Sequence, residues 1–584
     1  MKGIQSLLRL FRYLNPYKFR FALVVLLTLV SVALNAALPY VIGLPTSAVA
    51  KSVLAGQPIQ FEYIRNLLGW ILFVGLGYGV SQLLAGTLMT TVVQSAMKDL
   101  RQEIDQKINR LPVAYFDRQK QGDILSRVTN DVDAVGGALQ QAFIGIASAL
   151  LSLTFAIGMM FYIQPLMASI ALLMIPASFL ISRTIVKKSQ KYFNEMQQSL
   201  GTMNGFVQEN MTGFSVLKMY GREEQTFAGF HQVNHRLRHF GFRATVISGL
   251  MMPLVQLTAY LTYIVMAVMG IRYVILGTLL VGQLQAFIQY IWQVSQPLGN
   301  ITQLSSLLQS ASAASKRVFT FLDESEESIE TETQHFLAPI QGEVIFDNVS
   351  FAYTPEKPLI QSFNLHVKPG QTVAIVGPTG AGKTTLINLL MRFYDVTHGA
   401  IKIDGIDSRN VSRKEVRSLF GMVLQDAWLY EGTIADNIRF GRLAASDYEV
   451  VDAAKAANVD HFIRTMPNGY EMVINAEGEN VSLGQKQLLT IARAILANPK
   501  ILILDEATSS VDTRIEQLIQ KAMETMMQGR TSFIIAHRLS TIRSADLILV
   551  LNKGQIVEQG THETLLAKNG FYSELYNSQF AEDQ

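Results

Sequence analysis

Five long stretches without a charged side chain dominate the first half of the chain. They are Phe21 to Ala50, Asn66 to Met97, Ala134 to Ser182, Ala244 to Ile271 and Tyr273 to Ser315. A helix that crosses a bilayer needs about 20 mainly apolar residues. The third stretch has room for two such helices and contains the turn signal Gln164-Pro165, so the pattern predicts six membrane spans. Buried helices of a large soluble protein would instead present a polar face at every turn.

Basic residues are distributed unevenly around these stretches. Five precede the first span, seven lie between Lys98 and Arg127, and nine lie between Arg183 and Arg243. The opposite side carries only Lys51, Arg65 and Arg272. Because Lys and Arg accumulate in cytoplasmic loops, both termini and the two long loops are predicted to be cytoplasmic, as expected for a multi-pass protein of the plasma (inner) membrane.

The two long loops and the N-terminus also carry helical patterns. We expect the membrane helices to extend well into the cytoplasm, with short turns near Phe116 to Asp123 and Met211 to Gly221 that could touch a cytoplasmic domain. The segment Leu7 to Phe19 is basic, aromatic and amphipathic, which predicts an interfacial helix rather than a cleavable signal peptide.

The pattern changes in the second half. Lys316 to Ile340 is acidic and polar, as in a linker. From Gly342 onward, short β-rich runs alternate with helical segments, which predicts an α/β domain. The predicted strands are Glu343 to Phe346, Thr372 to Val376, Gly421 to Leu424, Ile501 to Leu504, Ser532 to Ile535 and Leu547 to Leu551. The predicted organisation is an all-α membrane domain over residues 1–315, a linker over 316–341 and an α/β domain over 342–584.

Composition agrees with a membrane protein and excludes several other classes. Of the 584 residues, 49% are hydrophobic and 16% are charged, whereas soluble chains average about 25% charged residues. The net charge of +3 gives no basis for a nucleic-acid partner. The chain has no cysteine, which excludes disulfides, thiolate metal sites and a catalytic cysteine. An engineered cysteine-free variant would have the same composition.

One glycine-rich loop follows a predicted strand and opens a predicted helix. The strand Thr372 to Val376 leads into Gly-Pro-Thr-Gly-Ala-Gly-Lys-Thr-Thr, which is the context that a phosphate-binding loop requires. Backbone amides of such a loop surround phosphates, and the helix N-terminus adds its positive dipole end. Lys383 would reach the β- and γ-phosphates and Thr384 would hold Mg²⁺. The candidate loop residues are Gly377, Thr379, Gly380, Ala381, Gly382, Lys383, Thr384 and Thr385.

An acidic pair follows a second apolar strand. Ile501 to Leu504 is followed by Asp505 and Glu506. Asp505 would bind Mg²⁺ and Glu506 would polarise an attacking water. Such a pair is, taken alone, more often a helix cap, but the phosphate loop favours the catalytic interpretation.

The order of motifs in the second half closely resembles the nucleotide-binding domain of ATP-binding cassette proteins. The motifs are Tyr353, Gly377 to Thr385, Gln425, Ser482 to Gln485, Asp505-Glu506, Ser509 to Asp512 and His537. In the first half, Tyr115-Phe116-Asp117 and Gly122 to Arg127 resemble the membrane part of exporter-type half-transporters.

This resemblance implies roles for individual residues. Tyr353 would stack on adenine, Gln425 would contact Mg²⁺ or the lytic water, and His537 would contact the γ-phosphate. Ser482, Gly484, Gln485 and Asp512 would complete the nucleotide contacts. The implied cofactors are ATP and Mg²⁺.

The signature segment departs from the family pattern, which is Leu-Ser-Gly-Gly-Gln. Val481 replaces the first residue and Leu483 the third. In the family, two such domains face each other, and each ATP lies between one phosphate loop and the other chain's signature segment. The bulk of Leu483 can hinder a close backbone approach to the γ-phosphate. We therefore expect a heterodimer in which a related half-transporter supplies an intact signature; a homodimer is the alternative.

The function expected from the resemblance is ATP-driven export of hydrophobic or amphipathic compounds, as in multidrug efflux. Export of lipids or peptides, import of metal chelates, and an ATP-gated channel or regulator are alternatives. The predicted spans hold no ionisable residue, so the relays that mark many secondary transporters are missing. Expected partners are the second half-transporter, the lipid bilayer and a hydrophobic substrate. The candidate cavity residues are Asn35, Gln82, Met251, Gln256, Gln285, Gln289 and Trp292, although polar residues also pack helices together.

Overall fold

A computed structural model describes residues 9–327, 334–337, 339–354, 356–424, 427–475, 480–505, 513–536 and 539–580. The chain divides into two compact units. The first comprises Met1–Leu111 and Gln119–Ser325, and the second comprises Glu326–Gln584 together with the short segment Pro112–Arg118.

The first unit is built from helices. Residues 9–14 are helical, and a π-helical turn covers Arg127–Asp131. The helices of this part of the chain are α1 (Lys18–Leu54), α2 (Phe61–Ile108), α3 (Val113–Arg118, in the second unit), α4 (Gln121–Ser126), α5 (Val132–Ile163), α6 (Pro165–Ala171), α7 (Met174–Thr212), α8 (Phe214–Met219), α9 (Glu223–Gly249), α10 (Met251–Ile275) and α11 (Val281–Leu322).

The helical membrane domain that the sequence predicts is confirmed. Among the described residues, five helical runs are long and apolar enough to cross a membrane: Arg9–Leu54, Phe61–Ile108, Gln121–Ile163, Pro165–Thr212 and Glu223–Ile275. α11 is a sixth long helix, with 42 residues. The predicted turn inside the third charge-free stretch is also present, because the backbone is extended at Gln164 and α6 begins at Pro165.

The helices are much longer than a bilayer is thick. α2 has 48 residues, which at 1.5 Å per residue gives a length of about 72 Å. The hydrocarbon core of a membrane measures roughly 30 Å. Helices therefore continue beyond the spans, as the patterning of the long loops predicts. At the two places where short turns were expected, the chain forms the short helices α3 and α4 in one case and α8 in the other.

Small residues allow α1 and α11 to approach closely. A Cβ added to Gly43 would collide with the backbone of Gly282, and the reverse also holds. The amide of Gly282 donates a hydrogen bond of 3.0 Å to Ser47 Oγ. The buried hydroxyl of Tyr290 donates one of 2.6 Å to the carbonyl of Ala36. Close packing and interhelical hydrogen bonds hold helices together in lipid, where no hydrophobic effect acts between them.

The second unit is an α/β domain, as predicted. Its strands are β1 (Val344–Phe351), β2 (Ile360–Val367), β3 (Thr372–Val376), β4 (His398–Ile403), β5 (Ile406–Asp407), β6 (Phe420–Val423), β7 (Gly432–Thr433), β8 (Val473–Ile474), β9 (Ile501–Asp505), β10 (Thr531–Ile535), β11 (Leu547–Asn552) and β12 (Gln555–Gly560). The predicted bounds of β3 match the observed ones. The predicted strands at β9, β10 and β11 are each one residue shorter than the observed strands.

Its helices lie between the strands and after the last strand, β12. They are α12 (Lys383–Leu390), α13 (Arg413–Ser418), α14 (Ile434–Arg439), α15 (Asp447–Ala456), α16 (Asp460–Thr465), α17 (Leu483–Ala497), α18 (Thr513–Met527), α19 (Leu539–Arg543), α20 (His562–Ala567) and α21 (Phe571–Phe580).

The main sheet has the order β12-β11-β3-β10-β9-β6. Its five strands from β11 to β6 are parallel, and β12 is an antiparallel edge strand. β10 is buried along its whole length, as is β9 from Ile501 to Leu504. Strands that are covered on both faces need continuous apolar runs. A second, antiparallel sheet has the order β2-β1-β4-β5.

The segment predicted to be a linker begins as helix. α11 runs on to Leu322, beyond the predicted end of the membrane domain at Ser315, and the division between the two units lies between Ser325 and Glu326. β1 begins at Val344, just after the predicted start of the α/β domain.

Candidate nucleotide-binding site

The phosphate loop connects β3 to α12 in a conformation that depends on glycine. Gly380 and Gly382 have φ angles of 80° and 102°, which glycine adopts without the penalty that a Cβ imposes. The amide of Gly554 donates a hydrogen bond of 2.9 Å to the carbonyl of Ala381. A Cβ on Gly554 would overlap the carbonyl of Leu359. The turn between β11 and β12 therefore holds the loop in shape, and only glycine fits there.

Lys383 is the first residue of α12. Its Nζ donates hydrogen bonds to the carbonyls of Gly377 at 2.6 Å and Pro378 at 3.4 Å. Burial lowers the pKa of the Lys383 ammonium, and the charge of Asp505 partly offsets this effect. The ammonium group therefore lies within the loop, close to where phosphate oxygens would be bound.

Thr384 and Asp505 belong to elements that meet at one edge of the sheet. Asp505 ends β9 opposite Ile535 of β10, and Ile535 lies opposite Ile375 of β3. The carboxyl ends of β9 and β3 are thus at the same edge, where α12 begins. Hydroxyl and carboxylate oxygens suit Mg²⁺, which usually completes its shell with water and substrate phosphates. The donor set fits magnesium.

Tyr353 lies in a cluster of aromatic rings beside the phosphate loop. Its ring packs edge-on against Phe351 at 4.9 Å and against Tyr394 at 5.1 Å between centroids. Its hydroxyl lies 3.1 Å from Thr385 Oγ1. The side chain is partly exposed.

The helix α3 contacts this aromatic cluster. Asp117 accepts a hydrogen bond of 2.6 Å from the Tyr394 hydroxyl, and Arg118 donates one of 3.2 Å to the carbonyl of Tyr353. Burial, and then the neighbouring carboxylate, raise the pKa of Tyr394. Sequence analysis missed Tyr394, since it belongs to none of the motifs, and its partner Asp117 lies far away along the chain.

The signature segment forms the start of α17. Ser482 is the N-cap residue, and it forms reciprocal hydrogen bonds with Gln485, the arrangement known as a capping box. Val481 is 4% exposed and belongs to the core, whereas Leu483 is 43% exposed. Val481 is therefore a core residue of this domain. Leu483 places its bulk on the surface, beside Gly484.

Four predicted site residues lie outside the part of the chain that the structure describes. They are Gln425, Glu506, Asp512 and His537. The phosphate loop, Tyr353 and Asp505 are brought together at the carboxyl edge of the main sheet.

The first unit contains a cavity of about 720 Å³ between α1, α2, α5 and α11. Of the seven candidate cavity residues, Asn35 and Gln82 line it; the other five are not among its lining residues. Trp292 packs edge-on against Tyr260 instead. The structure adds Gln140, Gln141, Gln293 and Gln296 to the lining. These glutamines also lie in charge-free stretches, as the candidate cavity residues do. The sequence therefore has no signal that distinguishes the two sets.

A helical membrane unit followed by an α/β unit with a phosphate loop defines a membrane protein driven by nucleotide hydrolysis. Comparisons with known proteins agree. A model of the ABC transporter transmembrane region matches residues 21–298, and a model described as ABC transporter matches residues 360–509. The chain belongs to the ABC transporter family.

Three similar proteins illustrate the relationship. The fatty acid ABC transporter ATP-binding/permease protein of Mycobacterium tuberculosis is 46% identical over 90% of this chain and 83% of its own length. An ATP-dependent lipid A-core flippase of Syntrophus aciditrophicus is 33% identical over 99% of this chain and 95% of its own length. A bacterial Atm1-family ABC exporter solved with ATP bound is 28% identical, with a TM-score of 0.77 over 96% and 98% of the two chains. The chain is therefore an exporter-type half-transporter with an ATPase domain.

Proposed function

We propose that this chain forms half of an ATP-driven exporter of amphipathic compounds, with lipid-like molecules as its main substrates. The cavity of the first unit carries this proposal, because it combines polar amides such as Asn35 and Gln82 with apolar residues such as Val32 and Ile144. Amphiphiles need both kinds of surface. The names of the fatty acid transporter and the lipid A-core flippase support a lipid-like substrate. Multidrug efflux would be export of a wider range of amphipathic compounds by the same activity.

The test is transport into inside-out vesicles that contain the purified complex. We expect ATP-dependent accumulation of long-chain amphiphiles above that of peptides and metal chelates, and stimulation of the ATPase by the same compounds. ATP-dependent movement of a metal chelate in the opposite direction, without transport of any amphiphile, would overturn the proposal. Ion conductance that follows ATP binding alone would favour the channel alternative.

The proposed roles at the nucleotide site follow the family pattern. Lys383 binds the β- and γ-phosphates, Tyr353 stacks on adenine, and Glu506 polarises the lytic water. The remaining proposed contacts are Thr384, Asp505 and Gln425 to Mg²⁺, His537 to the γ-phosphate, and Ser482, Gly484, Gln485 and Asp512 to nucleotide at the interface of two such domains.

The proposed topology places both termini and the ATPase domain in the cytoplasm of the cell. The distribution of basic residues supports it, since the segments between Lys98 and Arg127 and between Arg183 and Arg243 hold most of the Lys and Arg of the first unit.

The proposed partner is a related but non-identical half-transporter. In a homodimer, both ATP sites would receive a signature segment with the exposed Leu483. In a heterodimer, Glu506 could act opposite an intact signature on the partner, and only the other site would be weakened.

A coexpression experiment tests the heterodimer. We expect the chain alone to show low ATPase activity, and coexpression with a related half-transporter that carries an intact signature to give a stable complex with higher activity. Leu483→Gly should accelerate the slow site in that complex, because it removes the bulk beside Gly484. A stable homodimer with full substrate-stimulated activity, unchanged by the second chain, would contradict the proposal. An unchanged rate of ATP hydrolysis at both sites after Leu483→Gly would show that Leu483 is not what weakens the slow site.

A second prediction concerns Tyr394, which we propose positions the adenine-stacking ring. Tyr394→Phe removes the hydrogen bond to Asp117 while keeping the ring contact with Tyr353. We expect the KM for ATP to rise by roughly twofold to tenfold, the usual range for one hydrogen bond, with little change in kcat. The matched control is Tyr470→Phe, since Tyr470 donates a hydrogen bond of 2.7 Å to Asp460 at the start of α16. Equal effects of the two substitutions on KM would argue against a positioning role.

A further inference from the structure

The cavity of the first unit is lined by side chains that form hydrogen bonds but carry no charge. Among the described residues that line it, none is Asp, Glu, Lys, Arg or His. Hydroxyl groups come from Ser31, Tyr78 and Ser148, among others. The amides are Asn35, Gln82, Gln140, Gln141, Gln293 and Gln296. Four helices that are distant in sequence thus contribute one polar, uncharged surface.

Some of these amides are held in place and others are available. Gln140 Nε2 donates a hydrogen bond of 2.9 Å to Thr90 Oγ1, and Gln293 Nε2 donates one of 3.2 Å to the carbonyl of Asn35. Gln82, Gln141 and Gln296 are exposed. Each amide presents two donor hydrogens and one acceptor oxygen. The lining can therefore both donate to and accept from a ligand.

Gln293 belongs to this lining, but its acceptor is not accessible from the cavity. Its Oε1 is buried and has no hydrogen-bond partner among the described residues, so a ligand in the cavity does not reach that atom. The exposed amides of Gln82, Gln141 and Gln296 are the groups that a ligand can contact. They suit a hydroxyl or amide group, which both donates and accepts hydrogen bonds.

The absence of charge from the described lining also limits the ligand. A charged head group would leave water without meeting an opposite charge on this wall, which is strongly unfavourable. We infer, on the basis of the proposed export function, that the substrate carries a neutral hydroxyl or amide head group on a long alkyl chain. The uncharged amide lining, with Gln82 accessible, selects that head group.

Three amphiphiles with the same length of alkyl chain test this inference in inside-out vesicles. They are 1-monopalmitoylglycerol, hexadecyl sulfate and hexadecyltrimethylammonium, which are neutral, permanently anionic and permanently cationic. At equal concentrations below those that disturb the vesicles, we expect ATP-dependent uptake of the neutral compound to exceed that of either charged one by about tenfold or more.

Substitutions in the lining distinguish recognition by this wall from a general membrane effect. Gln82→Ala should lower the apparent affinity for 1-monopalmitoylglycerol by roughly twofold to tenfold. Gln82→Lys should shift the preference toward hexadecyl sulfate by supplying the missing opposite charge. The matched controls are Gln256→Ala and Gln256→Lys, since Gln256 is an exposed glutamine of α10 that is not part of the lining. Those variants should keep the original order of the three compounds.

The outcomes separate this inference from the proposed function. Equal uptake of all three compounds would overturn the head-group inference, and so would an unchanged order of uptake in the Gln82→Lys variant. Neither result would contradict the proposed export of amphiphiles. No ATP-dependent uptake of any of the three would overturn the proposed function and this inference with it.

Discussion

Lys383→Ala is expected to cause the largest loss of ATP binding that a single substitution in this chain can produce. The ammonium of Lys383 lies inside the phosphate loop, where it donates hydrogen bonds to the carbonyls of Gly377 and Pro378. Phosphate oxygens would be stronger acceptors, because a hydrogen bond between two charged groups is stronger than one to a neutral carbonyl. Loss of such a contact corresponds to a roughly tenfold to hundredfold weaker affinity for ATP. Nucleotide binding to the purified complex measures it directly.

A lysine elsewhere in the same unit provides the control. Lys402 forms an exposed ion pair of 2.9 Å with Asp347, and exposed pairs contribute little to stability. Lys402→Ala should therefore leave ATP affinity unchanged. Equal affinities in the Lys383→Ala, Lys402→Ala and unsubstituted proteins would refute the assignment of Lys383 to the phosphates.

The affinity for ATP should also depend on pH, and it should fall as the pH rises. Because burial lowers the pKa of Lys383 in the free protein, this lysine loses its proton at a lower pH than an exposed lysine does. The charged form binds phosphates, so ATP affinity is expected to fall as pH rises through that lowered pKa. Lys383→Arg keeps its charge across this range, and its affinity should decline less with pH. A steeper decline in the arginine variant would contradict this explanation.

Glu506→Gln is expected to separate binding from turnover. Glu506 directly follows Asp505, the last residue of β9, and is the proposed base. Glutamine has nearly the same shape but cannot accept a proton. A positioned base typically contributes a factor of about 10² to 10⁴ to the rate, so hydrolysis in the assembled complex should fall within that range while ATP affinity is retained.

The measurement compares single-turnover hydrolysis with nucleotide binding in the same preparation. Glu563→Gln is a suitable control, since Glu563 is a carboxylate in the first turn of α20 and belongs to none of the nucleotide motifs. An unchanged hydrolysis rate in the Glu506→Gln complex, assembled with its partner chain, would remove Glu506 from the role of base.

Much of the nucleotide site could be predicted because its signals are local. The strand Thr372–Val376, the glycine loop and the start of the next helix are consecutive in sequence, and the left-handed backbone at Gly380 and Gly382 explains why glycine occurs there. The capping residue Ser482 and its partner Gln485 are likewise only one helical turn apart. Patterns of this kind reflect hydrogen bonds and backbone geometry over a few residues.

Contacts between distant segments could not be predicted in this way. The hydrogen bond from Tyr394 to Asp117 joins residues that are 277 positions apart, and neither residue has a local pattern that indicates the other. The cavity residues were predicted only in part, since Asn35 and Gln82 line the cavity and the other five candidates do not. Every helix in lipid carries a few amides, and only the packing of the helices decides whether an amide such as Gln82 faces a cavity or, like Gln256, does not.

The amino-acid sequence by itself determined the class of this protein, its helical membrane domain and the position of its phosphate loop. Hydrophobic runs and glycine-rich turns reflect interactions over short distances along the chain, so they can be recognised from the sequence without a structure. The tertiary structure decided that Tyr394 packs against the Tyr353 ring, that Val481 is buried while Leu483 is exposed, and that six amides share one cavity. These features arise where separate helices and strands pack together, and that packing depends on the shape and volume of all the side chains at once.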